Sequence, residues 1–361
     1  MFVAKNLFTP GPLTTSDSVK KAMLIDLGSR DSSFIELVAS IRNQLLSLAG
    51  TKKGAYEAVL MQGSGTFSLE AVISSGLSSN GEVLCLVNGA YGKRVSEMAK
   101  VLGIPHQILA YPENKSIPAE DVQKALKKNP AIEMVSVAHC ETTTGIMNAI
   151  ETIGEVCKGF PKVNYFVDAM STFGAVPINV EEIGIDYLVS SANKCIQGVP
   201  GFAFVIAKTA VLEKTKGYAR SLSFDLFSQW KGLENNGQFR YTPPTHTLLA
   251  FAKALEELEQ EGGVIGRAYR YKKNNSILLN GMVAKGYKPF IDAENRGYII
   301  TSFLYPENND FNFTHFYEDL ANKGHIIYPG KLTHTNCFRI GNIGHLFETD
   351  IAALLQDIPN T

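Results

Sequence analysis

Ser190-Ser191-Ala192-Asn193-Lys194-Cys195-Ile196-Gln197-Gly198-Val199-Pro200-Gly201 sits between two apolar runs, Tyr187-Leu188-Val189 and Phe202-Ala203-Phe204-Val205-Ile206-Ala207. Both runs predict buried strands. The link is too short for a helical crossover, so an antiparallel edge is expected in whatever sheet they join. Lys194 stands among small residues with turn-formers behind it. A lysine placed there loses part of its hydration, which lowers its pKa and leaves a free amine able to attack a carbonyl. From this stretch alone an ordinary exposed loop lysine is the simpler reading. The rest of the chain reverses that.

Upstream, strands and helices alternate. Val59-Leu60-Met61-Gln62, Val83 to Val87, His106 to Leu109, Met134 to Ala138 and Tyr165-Phe166-Val167 predict strands. Phe34 to Leu48, Phe67 to Leu77, Lys93 to Leu102, Ala119 to Lys128 and Ile150 to Phe160 predict helices between or beside them. Such alternation signals a mostly parallel sheet covered on both faces, with its site at the carboxyl ends of the strands. Those ends carry Gly63-Ser64-Gly65-Thr66, Asn88-Gly89-Ala90-Tyr91, His139 to Thr144, Asp168-Ala169-Met170-Ser171 and Ser190 to Lys194. Each segment alone is weak; their convergence carries the reading. After Leu212 the pattern changes. Ser221 to Trp230 is aromatic-rich, Leu248 to Glu261 and Ile265 to Met282 predict long helices, and a smaller α+β unit follows from about Lys288.

Composition narrows the class. The chain has 361 residues, 45% hydrophobic and 19% charged, with a net charge of −1 and no basic block. Neither nucleic acid nor an anionic membrane is expected as partner. The odd number of cysteines, with no C-x-x-C spacing, predicts reduced thiols in a cytosol. No histidine pair has metal-ligand spacing, and no apolar run is long enough to span a bilayer. Met1-Phe2-Val3-Ala4-Lys5 lacks the apolar region of a signal peptide.

Ser64-Gly65-Thr66, between a strand and a helix, presents backbone N–H groups and a positive dipole end to an anion. It completes neither G-x-x-x-x-G-K-[ST] nor G-x-G-x-x-G. A turn that serves packing alone remains open, although its two hydroxyls favour phosphate. Asp168 at a strand end, ahead of Lys194, suits one cofactor, pyridoxal phosphate. A lysine Schiff base needs a carboxylate on the pyridine nitrogen so that the ring stays protonated and withdraws electrons. An aspartate serving only a turn or a cap is the alternative. The cofactor also needs a flat group over its ring, for which Tyr91 is the candidate; a core or surface tyrosine is nearly as natural.

Thr9-Pro10-Gly11-Pro12-Leu13-Thr14-Thr15, Glu141-Thr142-Thr143-Thr144-Gly145, Asp168-Ala169-Met170-Ser171 and Ser190 through Phe204 resemble the class V, fold type I aminotransferases. Ser191 through Phe202, Pro244-Thr245-His246-Thr247, Tyr328-Pro329-Gly330-Lys331 and Cys337 through Gly344 resemble its phosphonate branch in particular. The likeness runs from about residue 7 to 355. It implies an α/β fold: a large domain with a mostly parallel seven-stranded sheet, plus a smaller C-terminal α+β domain. The expected division is an N-terminal arm (1–15), a large cofactor-binding domain (16–260) and a small domain (261–361). The resemblance implies that Lys194 and Asp168 are catalytic and that Ser64, Gly65 and Thr66 bind the phosphate. It puts Thr143 near the phenolic oxygen, and Asn193 and Tyr91 beside the cofactor. Thr242 would reach the phosphate of a neighbouring subunit, in a two-fold homodimer. Arg339 would grip the substrate's anionic end, with a structural salt bridge as its alternative. Gly28-Ser29-Arg30-Asp31 departs from the pattern of some members, so Arg30 either helps bind phosphonate or pairs with Asp31. The implied reaction moves the amino group of 2-aminoethylphosphonate to pyruvate in the cytoplasm. An alanine–glyoxylate or serine–pyruvate type transaminase of the same class is the alternative.

Overall fold

The computed structural model describes residues 3–307, 311–332 and 335–361. Strands β1 (Tyr56–Gln62), β2 (Glu82–Val87), β3 (His106–Ala110), β4 (Ile132–Ala138), β5 (Asn164–Asp168), β6 (Tyr187–Ser191) and β7 (Phe202–Lys208) form one seven-stranded sheet. Its spatial order is β1-β7-β6-β5-β4-β2-β3. Successive side chains of a strand point to opposite faces, so a strand buried at every residue is covered on both sides. β6 is buried throughout, as is β7 up to its last residue. The covering helices are α1 (Ser32–Leu48), α2 (Gly65–Ser75), α3 (Ala90–Val101), α4 (Ala119–Lys128), α5 (Ile150–Lys158), α6 (Leu226–Asn236) and α7 (Thr245–Gln260).

The antiparallel strand foreseen from the short link is β7, but it is not an edge. It pairs antiparallel with β6 through Ala203↔Ser191 and with β1 through Phe202↔Gln62. β1, from far upstream in sequence, occupies the edge itself. Nothing local in the chain announces that pairing. The aromatic-rich stretch after Ser221 contains α6, started by Asp225, whose side chain accepts from Ser228 N–H, and stopped by Gly237 in a left-handed conformation.

α8 (Gly263–Ala284) leads into a three-stranded antiparallel sheet of β8 (Ile300–Leu304), β9 (Tyr328–Pro329) and β10 (Cys337–Gly341), with α9 (Phe313–Asn322) and α10 (Glu348–Asp357). Its buried side chains, Leu278, Phe303, Phe316, Phe338, Ile351 and Leu354 among them, form a cluster of their own. Phe8 of the N-terminal arm belongs to that cluster, and Asn6–Leu7 pair in parallel with His325–Ile326. Among the described residues no helix is long and apolar enough to cross a membrane.

Candidate active site

The strand ends do converge. A cavity of about 200 Å³ is lined by Ser64, Gly65 and Thr66 beyond β1, Tyr91 and Arg94 on α3, Asp168 at the end of β5, and Asn193 and Lys194 beyond β6.

Lys194 sits in a turn that the fold holds from three sides. Gln197 N–H donates to Lys194 O at 2.7 Å and Gly198 N–H to Ala192 O at 2.9 Å. Gln197 takes a left-handed backbone (φ 68°), rare for a residue with a side chain. Its buried amide donates to Gly344 O at 2.8 Å, and Arg267 donates to Cys195 O. The lysine turn is thus pinned to α8 and to the chain after β10. Burial pulls the Lys194 amine down to about 8, against the smaller opposing pull of Cys195 and Asp168. A useful fraction is therefore neutral near physiological pH.

Asp168 is buried, and the only hydrogen bond to its carboxylate among the described residues comes from Met170 N–H to Oδ1 at 2.9 Å. Burial pushes it up to about 6, a rise that the Met170 bond, Arg94 and Lys194 reduce without cancelling. Behind it, His139 contacts Thr172 Oγ1 at 2.9 Å, and burial holds that imidazole down at about 4, hence neutral. A buried carboxylate with one donor and no ion pair is costly unless a cation or N–H arrives on its open side.

Ser64 caps α2 without using its side chain, so its hydroxyl and the first N–H groups of the helix face the cavity. A Cβ on Gly65 would lie 2.0 Å from Met170 Sδ, so the position requires glycine unless Met170 moves. Ser191 Oγ is buried on the cavity wall with no hydrogen-bond partner among the described residues. Tyr91 accepts a 3.0 Å hydrogen bond from Thr142 Oγ1. The start of α3 is held by Glu141, whose carboxylate accepts Tyr91 N–H at 3.0 Å and Gly92 N–H at 2.7 Å. Burial raises Glu141 to about 7.

Four residues singled out in the sequence do not line this cavity. Thr143 is buried one residue beyond Thr142, its hydroxyl without a hydrogen-bond partner among the described residues. Arg339, on β10, is buried and donates to Thr142 O and Pro329 O, each at 2.9 Å. It makes no ion pair among the described residues. Thr242 is exposed, with its carbonyl 3.2 Å from the Gln62 amide. Arg30 is exposed as well. Its pairing with Asp31 does not occur, because Asp31 caps α1 through Ser33 N–H at 2.9 Å.

Thr142, Ser171 and Ser191 lie in the strand-end segments that the sequence marks, though with no role of their own there, whereas Arg94 is new. Arg94 had a signal: three residues after Tyr91, it shares that helix face and lies 5.0 Å over the Tyr91 ring. It also approaches Thr66 Oγ1 at 3.4 Å.

Residues 21–300 match the family described as Aminotransferase class-V. The chain belongs to the class V aminotransferases. It is 49% identical over 354 residues to a 2-aminoethylphosphonate–pyruvate transaminase of Lysinibacillus sphaericus (strain C3-41), covering 98% of this chain and 96% of that one. The same figures for identity and coverage hold, over 356 residues, for the transaminase of that name from Klebsiella pneumoniae subsp. pneumoniae. In fold it is similar to alanine–glyoxylate aminotransferase from Nostoc sp., with a TM-score of 0.90 at 23% identity over 99% of this chain and 96% of that one. The cofactor of this class V enzyme is pyridoxal phosphate, and its own residues fit that group. Among the described residues, the Asp168 carboxylate has no ion-pair partner, Ser191 Oγ on the cavity wall has no hydrogen-bond partner, and α2 begins without a side-chain cap.

Proposed function

We propose that this aminotransferase takes the amino group from 2-aminoethylphosphonate and gives it to pyruvate, releasing phosphonoacetaldehyde and alanine. One observation carries the chemistry: Lys194 and Asp168 line the same cavity as the α2 N-terminus, with buried Arg339 bonded to its Thr142 wall. The substrate pair is supported by the full-length relatives of that name.

Bound pyridoxal phosphate supplies an electron-withdrawing ring that accepts the electron pair left when a proton leaves the substrate's amine-bearing carbon. Lys194 holds the cofactor in the resting enzyme. When not joined to the cofactor, Lys194 Nζ would be the base that takes up, holds and returns the proton of the substrate's amine-bearing carbon. Asp168 keeps the ring nitrogen protonated. Ser64, Gly65 and Thr66 would hold the phosphate with Ser191, and Asn193, Tyr91 and Thr143 would complete the cofactor's binding site. Arg339 presents a planar fork that suits phosphonate and carboxylate alike, as alternating substrates require. Donor and acceptor use one site in turn, so initial-rate plots at several pyruvate concentrations should be parallel.

The site is completed in this reading by a second copy of the chain. Support comes from the exposed apolar side chains Leu24, Ile25, Phe67, Leu222 and Tyr241. His246 reaches Asp26 at 2.9 Å, Gln62 reaches the 241–242 carbonyls, and Arg240 joins Leu222 O at 3.0 Å. Thr242 and Arg30 lie on the segments so tied together. There they can serve the partner's phosphate and, for Arg30, the phosphonate. The division at 1–15, 16–260 and 261–361 belongs to the same proposal, supported by the separate buried clusters. So does a cytoplasmic setting, supported by five free cysteines.

A half-reaction titration tests the substrate. Single amino donors are added without acceptor, and the loss of the cofactor's aldehyde-form absorbance is followed. Conversion is expected with 2-aminoethylphosphonate and alanine only; an equal response to serine or glycine defeats the assignment. Arg339→Lys should raise KM for both substrates by roughly 10- to 100-fold, since a point charge replaces a two-pronged donor. Cofactor retention should change little, and comparable loss of both would count against the role of Arg339.

A further inference from the structure

Residues 6–14 carry no chemistry in the reaction above, yet they run from the C-terminal sheet to the catalytic amine. Asn6–Leu7 extend the pairing at His325–Ile326, and Phe8 is wholly buried in the C-terminal cluster. Gly341 N–H, at the end of β10, donates to Phe8 O at 2.9 Å, and His345 N–H donates to Thr14 O at 2.8 Å. Within the arm, Leu7 N–H donates to Thr14 Oγ1 at 2.8 Å and Thr9 Oγ1 to Pro12 O at 2.6 Å. The arm is therefore a closed loop clamped at both ends. At its tip Gly11 adopts φ +127°, and a Cβ there would lie 2.3 Å from Lys194 Nζ and 2.8 Å from Cδ.

We infer that Gly11 is a positioning residue: the bare face of the arm tip is the resting place of the Lys194 amine whenever it is not joined to the cofactor. Two glycines make the arrangement possible. Gly11 leaves room for the lysine, and Gly341 leaves room for the arm, since a Cβ there would meet Thr9 O at 2.6 Å. Gly341 lies two residues after Arg339 on the same strand. The strand that carries the substrate-gripping arginine thus also holds the strap lying against the lysine. A shift of β10 on substrate capture would move the arm tip with it. The inference rests on Lys194 being the residue that holds the cofactor.

The two cofactor forms separate the states. Pyridoxal phosphate engages Lys194, whereas pyridoxamine phosphate leaves it free. Full-length wild type, Gly11→Ala, Lys194→Ala and the double variant are each saturated with one form or the other, and thermal midpoints are measured. Gly11→Ala should lower the midpoint by about 2–4 °C more with pyridoxamine phosphate than with pyridoxal phosphate. In the Lys194→Ala background that difference should vanish, because the colliding side chain is gone. Equal losses in both forms, or a difference that survives without the lysine, would overturn the inference and leave only the backbone strain of alanine at a left-handed position. If Gly11→Ala does not fold alone, folding of the double variant supports the inference and its failure overturns it. Borohydride reduction and peptide mapping of the wild type keep the two readings apart. Label on a residue other than Lys194 defeats the cofactor assignment, whereas label on Lys194 with unaltered midpoints defeats only the role of Gly11.

Discussion

Lys194→Ala should abolish turnover of 2-aminoethylphosphonate, with a loss of at least about 10⁴-fold in kcat. The magnitude reflects two functions lost together. The amine that holds the cofactor ready for exchange disappears, and so does the base that moves the proton between two carbons. In the proposed mechanism Asp168 serves the ring nitrogen, and the Arg94 guanidinium, which also lines the cavity, does not give up its proton. Cofactor should still bind, because the α2 N-terminus, Ser191 and Asp168 are untouched, but borohydride should no longer fix it to the protein. Small primary amines added to the variant should restore part of the rate by serving as a free base. A residual rate within tenfold of wild type would remove Lys194 from the mechanism.

Asp168→Asn should cost about 10³-fold in kcat while making the cofactor-free protein more stable at neutral pH. The rate loss follows from an amide that cannot hold a proton on the ring nitrogen. The stability gain follows from linkage. Burial raises Asp168 from 3.8 to about 6, so the folded state binds this proton more tightly than the unfolded chain. That contribution is complete below pH 3.8 and is lost as pH rises through 6. Above pH 6 the buried charge weighs on the fold by about 3 kcal/mol, at roughly 1.4 kcal/mol per unit of displacement. Lys194 adds a penalty of the opposite kind. Its amine is lowered from 10.5 to about 8, so its contribution is complete above pH 10.5 and lost as pH falls through 8. Near pH 7 both groups are held charged at a cost that a bound, protonated ring would offset. Thermal midpoints of the cofactor-free proteins should therefore favour Asp168→Asn at pH 7.5 and converge below pH 4. A variant less stable than wild type at pH 7.5 would contradict this account.

The same two residues mark the boundary between what the chain discloses and what it withholds. The seven strands, most of their helices and the lysine turn were legible because each depends on a local pattern: apolar runs of strand length, glycine turns and short links; α6, in the aromatic-rich stretch after Ser221, was not. Convergence of the strand ends was legible too, because parallel strands joined by helical crossovers deliver their carboxyl ends to one side. Family likeness added Arg339, which no periodicity marks. Sequence could not place β1 beyond β7, because that pairing joins residues far apart in the chain and depends on which edge is left open. Nor could it tell whether Arg30 pairs with its neighbour; Asp31 was already taken by the first turn of α1.

From the order of its residues alone, then, this chain determines a mostly parallel sheet with a lysine and an aspartate at its carboxyl end, since both follow from local pattern and crossover geometry. Only the folded molecule decides how those two groups are charged, because burial and the approach of Arg94, Met170 and Cys195 set that balance. It alone brings the arm tip from residue 11 against residue 194. Contacts between segments so distant in sequence arise from packing two clusters against each other, and no window along the chain contains that information.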